Sequence, residues 1–497
     1  MTAAPHPTYE VVIGLEVHVH LRTESKLFSP APVRYGEPPN HAVHPIDLGL
    51  PGVLPVLNRK AVELGIRAAL ATHCEVHARS VFARKNYFYP DLPKGYQISQ
   101  YEDPLATGGW LEIDVPAASA ADDAYVTRIG LTRIHIEEDA GKSIHDAAVA
   151  GADRSHVDLN RAGVPLLEIV SEPDLRSPAE AGAYLRTLQH LLRYAGVSDA
   201  DMERGQFRCD ANLSLRRHGA TELGTRTELK NLNSFRFVEE ALAAETVRQA
   251  GLLDAGRDIQ QCTLSYDPER HATRVMRVKE NADDYRYFPD PDLIALHVDA
   301  AEIDAVRRAL PELPEQKRAR WQTGYELSDY DARQLAESRA LADFFEAVVA
   351  ELGGGARAAK SAANWIQRDV RAALGERGVE IETTRLEASA LARLIALVEG
   401  GRVTAQSARP LVAELLDHGG DPEALVRARG LEAVSDTGAL EAAADAVIAA
   451  HPEVVEQVRG GEAKGLNFLM GQIMKRTQGK ASPGAAREVL QRRLRGA

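Results

Sequence analysis

The chain has 497 residues, with 59 Lys and Arg side chains against 72 Asp and Glu side chains, and therefore a formal net charge of −13. This length allows several domains and at least one large core. A hydrophobic share of 44% and a charged share of 26% are typical of a globular enzyme and exclude a disordered or fibrous chain. The acidic balance excludes a protein covered in positive charge, such as a DNA-packaging factor, but leaves room for a local basic patch that contacts nucleic acid.

The cysteines and the hydropathy of the chain indicate its compartment. Cys74, Cys209 and Cys262 lie far apart and form no CxxC pair, so a disulfide framework is not expected and a reducing environment fits. The first residues include neither the basic nor the apolar segment of an export signal, and no run of 18 apolar residues occurs. We therefore expect a cytoplasmic protein without a membrane span.

The first predicted element is a strand at residues 11–21, whose side chains alternate between two faces. Glu16, His18 and His20 share one face, and the other face is apolar, with Ile13, Leu15, Val17 and Val19. A carboxylate and an imidazole two residues apart can both reach one divalent cation. For this strand alone, a polar face in contact with water is the simpler interpretation.

Residues 82–101 form a segment rich in aromatic side chains, interleaved with Arg84, Lys85 and Lys94. Aromatic faces stack on bases and cations hold phosphates, so the segment could receive a nucleotide or a single-stranded RNA end. An aromatic core segment is the alternative, and it is favoured for most of the rings. Arg84, Lys85 and Asn86 are the exceptions, because they are polar residues held beside this aromatic anchor.

The next predicted polar-faced strand lies at residues 131–139. Its polar face carries Arg133, His135 and Glu137, and Glu138 and Asp139 follow where the strand is expected to end. Residues 139–143 resemble the end of a P-loop, but Ile136 occupies the position of its first glycine. Without that glycine the phosphate-binding turn is not specified, so a P-loop nucleotide site is excluded.

Two later strands repeat the alternation. Their polar faces carry Arg208, Asp210, Asn212 and Ser214 in one strand and Arg226, Glu228 and Lys230 in the other. A sheet with one apolar face and one face of carboxylates and cations could hold Mg²⁺ and phosphate, and we favour this over a face that merely meets water. Capping signals predict helices that begin at Ser177 and Ser234, and these helices are assigned no chemistry.

Beyond the Pro-rich residues 288–293, aromatic residues become rare and Ala, Leu, Glu and Arg recur at helical spacing. A weaker break occurs at Gly400 and Gly401. We therefore predict three domains, at residues 1–293, 294–405 and 406–497, of which the last two are helical.

The last 34 residues carry eight cations and a single acidic residue, Glu488. Phosphate contacts dominate nucleic-acid affinity, so this tail is a candidate RNA-binding surface. Its candidate contacts are Lys464, Lys475, Arg476 and Lys480. A solvated terminal helix rich in Lys and Arg is the alternative.

Several long segments together resemble one known family. They include GLEVHVHL at 14–21, ARKNYFYPDLPKGYQISQY at 83–101, IHIEEDAGKS at 134–143, DLNRAGVPLLEIVSEPDLRSP at 158–178, RCDANLSLR at 208–216, TELKNLNSF at 227–235 and DDYRYFPDPDL at 283–293. Through them the chain resembles the B-subunit family (GatB) of tRNA-dependent amidotransferases. The tail at residues 465–483 resembles the C-terminal domain of the same family, so the resemblance covers effectively the whole chain and favours tRNA as the ligand of the tail.

The resemblance implies an α+β fold. Its first domain would be an antiparallel-sheet cradle of the glutamine synthetase and guanido kinase type. Two all-helical domains would follow, a helical domain and a YqeY-like tail.

The resemblance also implies a reaction. ATP phosphorylates the side-chain carboxylate of Glu or Asp esterified to tRNA, and ammonia then displaces the phosphate, while Mg²⁺ offsets the charge of ATP. The implied metal-binding residues are Glu16, His18, Glu138, Asp210 and Glu228. Strand parity favours Glu137 over Glu138, but we follow the resemblance because the strand is expected to have ended there. The candidate catalytic residues are the phosphate contacts Lys85, Arg208, Arg226 and Lys230, of which Lys85, Arg208 and Lys230 are the candidate ATP-binding residues.

The sequence shows no glutaminase signature, such as a Cys–His pair or a Ser–Ser–Lys arrangement, so ammonia is expected from a partner. The resemblance identifies that partner as the amidase subunit, a glutaminase, which a small third subunit joins to complete a heterotrimer. It further implies misacylated tRNA as substrate and a non-discriminating aminoacyl-tRNA synthetase as a partner. No DNA partner is expected.

One stretch departs from the family pattern. Many members carry a zinc-binding cysteine cluster where this chain has Pro38, Pro39, His41, His44 and Asp47. The two histidines lack a second ligand pair, so no structural zinc is expected.

Two other functions compete with this one. A non-catalytic tRNA-binding scaffold is disfavoured by the complete set of candidate metal-binding residues. A stand-alone ammonia ligase is disfavoured by the basic tail and by the missing ammonia source. Asp-tRNA(Asn), Glu-tRNA(Gln) or both fit as substrates.

Overall fold

The computed structural model describes residues 7–117, 123–144, 154–278, 285–433, 437–459, 463–477, 481 and 483–496. The chain divides into two compact units, Met1–Leu313 and Pro314–Ala497. In the described ranges no helix is both long and apolar enough to cross a bilayer.

The first unit is built on strands whose bounds follow the chain. They are β1 Tyr9–His20, β2 Glu75–Val76, β3 Arg79–Ser80, β4 Phe82–Asn86, β5 Tyr96–Gln100, β6 Ala106–Val115, β7 Tyr125–Glu138, β8 Lys142–Ile144, β9 His156–Asp158, β10 Pro165–Ser171, β11 Phe207–Arg217, β12 Thr227–Leu232, β13 Cys262–Asp267, β14 Ala272–Val278, β15 Phe288–Pro289 and β16 Leu296–His297.

Within the described residues, twelve of these strands form one sheet. Its main path is β14-β13-β12-β11-β1-β10-β7-β5-β4-β15, and β6 pairs with both β7 and β2. Every pair is antiparallel except β12 with β13. The strands β1, β10 and β11 therefore lie side by side at the centre of the sheet.

Three helices cover the apolar face of this sheet, namely α1 Arg59–Ala71, α2 Pro178–Tyr194 and α3 Phe235–Asp254. A further helix of the first unit, α4 Ala300–Ala309, packs against α1. The predicted starts of α2 and α3 are confirmed, because Ser177 accepts a hydrogen bond from the Glu180 N–H and Ser234 accepts one from the Phe237 N–H. Leu185 and Leu188 of α2 share one buried core with the apolar face of β1, which consists of Ile13, Leu15, Val17 and Val19. This packing leaves the polar face of the sheet on the other side.

The first unit continues beyond residue 293, where the sequence analysis placed a boundary. Strand β16 pairs with β3, and the side chains of Val298, Val306 and Leu313 are buried in the same core as β1. These contacts hold the segment up to Leu313 on the first unit.

The second unit is helical throughout its regular elements. Its helices are α5 Pro314–Gly324, α6 Asp329–Leu335, α7 Arg339–Glu351, α8 Gly355–Trp365, α9 Arg371–Arg377, α10 Ala388–Glu399, α11 Ala405–His418, α12 Pro422–Ala428, α13 Thr437–Ala450, α14 Pro452–Arg459, α15 Ala463–Arg476 and α16 Pro483–Gly496. A π-helical turn, Ile366–Val370, joins α8 to α9.

The helices of the second unit fall into two packed groups. Helices α11 and α12 pack against α10, so the predicted boundary at residue 405 falls inside the first group. Helices α13 to α16 share a separate core, with Leu440, Leu469, Ile473 and Leu490 among its buried side chains.

Candidate active site

The register of the central strands brings the predicted polar residues together. In β1, Glu16 lies opposite Asp210 of β11, and His18 lies opposite both Arg208 of β11 and Glu168 of β10. Directly opposed residues project from the same face of a sheet and approach within about 5 Å. The candidate residues of separate strands therefore meet on one polar surface.

Three carboxylates form the first group on this surface, which we call the carboxylate cluster. Glu16, Asp210 and Glu228 each offer an oxygen within 4.8 Å of the others. Thr263 donates a hydrogen bond of 2.9 Å to Glu228, and Lys230 pairs with Asp210 and lies 3.4 Å from Glu228.

The charge of the carboxylate cluster is only partly balanced. Burial, followed by the negative charge of Glu168, raises the pKa of Glu16. Asn212 stabilises this carboxylate with a hydrogen bond of 3.1 Å. A divalent cation would supply the missing positive charge, and oxygen ligands of this type suit Mg²⁺.

The second group, which we call the histidine cluster, consists of His18, Glu137 and Glu168, whose ligand atoms also lie within 4.8 Å of one another. His18 Nε2 lies 3.2 Å from Glu168 Oε2 and 3.9 Å from Glu137 Oε1. Burial favours the neutral imidazole, but the hydrogen bond to Glu168 and the surrounding carboxylates outweigh burial and raise the pKa of His18.

The histidine cluster contains buried polar atoms that the described residues do not satisfy. Glu137 Oε2 and His135 Nδ1 have no hydrogen-bond partner in the described part of the chain. His135 Nε2 lies 3.7 Å from both Glu137 and Glu168. An orphaned carboxylate oxygen needs an explanation, and a cation held by one imidazole and two carboxylates would provide one.

Glu137, and not Glu138, is the glutamate that joins His18. Strand β7 continues through Glu138, so the expectation that the strand had already ended is wrong and the two neighbours face opposite sides. The Glu138 carboxylate pairs with Lys94 and accepts a 2.9 Å hydrogen bond from the Ile98 N–H. The geometry therefore places Glu137, and not the predicted Glu138, in the histidine cluster, and the metal-binding role of either residue stays a prediction.

The predicted phosphate contacts surround the two clusters unevenly. Lys85 of β4 is half-buried, and although burial by itself would lower its pKa, the charge of Glu137 and the other nearby groups raise it. Arg208 Nη2 lies 2.8 Å from Asp139. Lys230 borders the carboxylate cluster, whereas Arg226 is exposed immediately before β12. Lys85, Arg208 and Lys230 are thus close to the clusters, and Arg226 is peripheral.

The aromatic segment divides between core and surface. Phe82 is 2% exposed, but Phe88 is 94% exposed, Tyr89 and Tyr101 are also exposed, and Tyr87 and Tyr96 are half-buried. The expectation that most of these rings lie in a core is therefore wrong. Arg84 is bound by Asp290 and Asp292 at 2.8 and 2.9 Å. These ion pairs give Arg84 a structural role at the edge of the sheet.

Glu168 is the functional candidate that the sequence analysis did not single out. It is a carboxylate inside the buried strand Pro165–Ser171, among Leu166, Leu167 and Ile169. A charge within such an apolar run is costly unless it has partners, and this is the signal that could have identified it.

The predicted RNA contacts of the tail that belong to the described residues lie on α15. Lys475 and Arg476 are exposed in its last turn. Lys464 belongs to its first turn, but its side chain is outside the described part, and Lys480 lies outside the described residues.

The sheet and the second unit each match a known family model. Residues 11–304 match the GatB/GatE catalytic domain, and residues 343–494 match the GatB domain. The first unit is therefore a catalytic domain of the GatB/GatE class.

Full-length relatives extend this match. The chain is 50% identical to the B subunit of the aspartyl/glutamyl-tRNA(Asn/Gln) amidotransferase of Alkalilimnicola ehrlichii over 488 residues, which cover 98% of this chain and 99% of that protein. The protein of the same description from Solidesulfovibrio magneticus is 51% identical over 486 residues, with the same coverage. That from Anaeromyxobacter sp. is 50% identical over 492 residues, or 99% of this chain and 100% of that protein. The chain belongs to the GatB family.

Proposed function

We propose that this chain is the activating and amidating subunit of a tRNA-dependent amidotransferase. Its substrates are Glu esterified to tRNA(Gln), Asp esterified to tRNA(Asn), or both. The observation that carries the proposal is the pair of carboxylate-rich clusters on one polar sheet face, in a chain about half identical to relatives of that description along their whole length.

The reaction class follows from the chemistry of the substrate. A carboxylate is a poor acyl donor, so one of its oxygens first attacks the γ-phosphorus of ATP and ADP departs. Ammonia then attacks the carbonyl carbon of the acyl phosphate, phosphate departs, and loss of a proton leaves the amide. Both steps bring anions together, and cations placed at the site lower that cost.

The two clusters are suited to divalent cations. Glu16, Asp210 and Glu228 would hold one ion, and His18, Glu137 and Glu168 a second. Bound Mg²⁺ would supply positive charge to offset that of the phosphates. Lys85, Arg208 and Lys230 lie beside the clusters and would contact phosphate oxygens, while exposed Arg226 would reach only a larger substrate.

The remaining expectations complete the proposal. The sheet would belong to the glutamine synthetase and guanido kinase lineage, and the complex would act in the cytoplasm.

An amidase partner would supply ammonia, a small third protein would join the pair, and a non-discriminating synthetase would supply misacylated tRNA. The exposed cations Lys475 and Arg476 would contact the tRNA.

The experiment combines the full chain with its amidase and small partner proteins, misacylated tRNA, ATP and glutamine. The wild-type chain should form the amide, and Glu16→Ala should reduce amidation at least 100-fold. Partner glutamine hydrolysis should remain measurable, and replacing glutamine with ammonium should not rescue the variant, because the defect lies in activation.

Glu10→Ala is the matched control. Glu10 lies on the same strand but binds Arg216 and Arg176, away from both clusters, so amidation should stay within about threefold of wild type. Full ATP-dependent amidation by Glu16→Ala would contradict the proposed role of the carboxylate cluster.

A further inference from the structure

A single buried carboxylate gathers three nitrogen-bearing side chains at the edge of the polar face. Asp139 follows β7 directly and is 6% exposed. Its Oδ2 lies 2.7 Å from His20 Nε2, 2.8 Å from Arg208 Nη2 and 3.5 Å from Arg161 Nε. These groups come from three segments that are distant in sequence.

The backbone holds this carboxylate in place. The Asp139 N–H donates to the Val164 carbonyl at 2.9 Å, and its own carbonyl accepts from the Gly163 N–H at 2.8 Å. The remaining carboxylate oxygen, Oδ1, accepts from the Ala140 N–H at 2.9 Å. These hydrogen bonds therefore fix the position of the Asp139 carboxylate, and with it the position of the side chains that bind it.

Asp139 is ionised beside two arginine side chains. Burial opposes ionisation of Asp139, but the charges of Arg208 and Arg161 outweigh it and keep its pKa well below the ordinary value. Asp139 thus faces two guanidinium groups, which are always protonated, and Glu137 and Asp210 add negative charge near Arg208. An anion bound beside Asp139 would be attracted by both guanidinium groups.

Both arginines keep part of their side chains accessible. Each has an exposed side-chain fraction of 32%. Arg161 donates through Nε to the Ala140 carbonyl at 2.9 Å and through Nη2 to the Gly141 carbonyl at 2.6 Å. Because a guanidinium has five N–H donors, these two bonds orient the Arg161 guanidinium without using all of its donors.

The position of the arginines connects them to the reaction site. Arg208 lies opposite His18, a member of the histidine cluster. Arg161 binds the segment between β7 and β8 through the Ala140 and Gly141 carbonyls, and this segment belongs to the stretch that resembles the end of a P-loop but lacks its first glycine. Lys142, the first residue of β8, is exposed.

We propose that Arg161 and Arg208, both oriented by Asp139, form a phosphate clamp beside the histidine cluster. Arg161 is a new binding residue in this proposal, and Asp139 is a positioning residue that acts through the two arginines. Planar guanidinium groups suit phosphate oxygens because they donate in parallel pairs. The assignment deepens the proposed function and rests on it for the source of the phosphate, which is either the nucleotide or a phosphodiester of the tRNA.

Equilibrium binding to the full chain tests the clamp independently of turnover. Dissociation constants are measured for ATP with Mg²⁺ and, separately, for tRNA. Arg161→Ala should weaken the binding of one of these ligands about tenfold or more, and Arg161→Lys should restore part of the loss. Arg79→Ala, which removes an exposed arginine paired with Asp103, is the control and should change neither constant.

The same constants identify the source of the phosphate. Weaker ATP binding assigns the clamp to the nucleotide, and weaker tRNA binding assigns it to the nucleic acid. Unchanged binding of both ligands by Arg161→Ala, or no binding of either by the wild-type chain, would overturn the proposal. Amidation by the wild-type complex is scored separately, so failure of the proposed function is distinguished from failure of the clamp.

A double substitution tests the positioning role of Asp139. Asp139→Asn should weaken binding of the same ligand as Arg161→Ala. The double variant Asp139→Asn, Arg161→Ala should lose less affinity than the product of the two single fold-changes, because both substitutions act through one contact. In the amidation assay the loss should appear in KM, with kcat changed less than about threefold. Asp139 would be only structural if Asp139→Asn weakened the binding of ATP and of tRNA equally. The same would follow if the fold-changes of the two single variants multiplied to that of the double variant.

Discussion

At the scale of single residues, adjacent glutamates at the end of β7 have separate environments. Glu137 faces His18 and His135, whereas Glu138 is held by Lys94 and the Ile98 N–H. Both carboxylates are buried, so burial does not distinguish a metal ligand from a structural ion pair. The surrounding donors distinguish the two cases, because a carboxylate already paired with a lysine ammonium, as Glu138 is with Lys94, has less need of a metal cation.

We expect Glu137→Gln to weaken divalent-cation binding about tenfold or more, because it removes a charged oxygen from the histidine cluster. Binding of Mn²⁺ to the full chain, followed by electron paramagnetic resonance, measures the effect. Glu138→Gln makes the same chemical change one residue away and should alter the affinity less than about threefold. A larger loss for Glu138→Gln than for Glu137→Gln would reinstate the assignment made from resemblance.

At the scale of elements, β1 illustrates what a two-residue period determines. It delivers Glu16 to one cluster and His18 to the other, while Leu15 and Val17 enter the core. The alternation is a local property of the strand, so the polar face was predictable. Strand β10 gave a weaker signal, because both of its faces are largely buried and Glu168 interrupts an apolar run.

In the second unit, α5 and α7 are joined by a charged network around the buried side chain of Lys317. Lys317 of α5 pairs with Glu346 and, at 2.9 Å, with Asp343, both from α7. Trp321 donates a 2.9 Å hydrogen bond to Glu346. Burial opposes the charge of Glu346, but the hydrogen bond from Lys317 and the other donors outweigh it and lower its pKa.

This lowered pKa predicts a pH-dependent stability. The ionised form of Glu346 stabilises the folded chain fully above the ordinary value of 4.5, and the contribution is lost as the pH falls through the lower folded-state pKa. Glu346→Gln should therefore reduce the free energy of unfolding by roughly 1–3 kcal/mol at pH 7. Below pH 4.5, the ordinary pKa of a glutamate, the free energies of unfolding of the variant and of the wild type should become more similar.

Thermal unfolding between pH 7 and pH 3 checks this prediction. Glu351→Gln, at an exposed position of the same helix, should change the stability little at either pH 7 or pH 3. A constant difference between Glu346→Gln and wild type at all pH values would show that the carboxylate charge is not the cause.

At the scale of the whole molecule, the net charge of −13 conceals an uneven distribution. Five carboxylates meet at the two clusters, whereas the last 34 residues carry eight cations and one acidic residue. The tail is also part of a packed core, because α15 and α16 bury Leu469, Ile473 and Leu490 with Leu440 of α13. Deleting the tail from residue 464 would expose that core, so charge substitutions are the better test of RNA binding.

We expect the pair Lys475→Glu, Arg476→Glu to weaken tRNA binding without unfolding the chain, since both side chains are exposed. Loss of two phosphate contacts should reduce the slope of log affinity against log salt by up to about 2. Filter binding at several salt concentrations measures both quantities.

The control is the pair Arg339→Glu, Arg357→Glu, which makes the same charge change at side chains that are 52% and 89% exposed. It should leave the salt slope unchanged. If the control and the tail variant weaken binding equally, net charge rather than a contact in the tail accounts for the affinity.

The sequence alone determined which residues share a face and where α2 and α3 begin, because alternation and capping depend on neighbours in the chain. The charge of the tail is likewise a local property of its sequence. For the same reason, the resemblance of the chain to a known family was visible before the fold, and the comparisons confirm it.

Only the tertiary structure decided which of these residues meet. Strand β10 lies between β1 and β7, and this long-range pairing brings Glu168 to His18 and Glu137. Continuation of β7 through Glu138 separates the two adjacent glutamates. Asp139 collects His20, Arg161 and Arg208 from distant segments. No local pattern contains these contacts, because they depend on strand order and register, which the packing of the whole sheet sets.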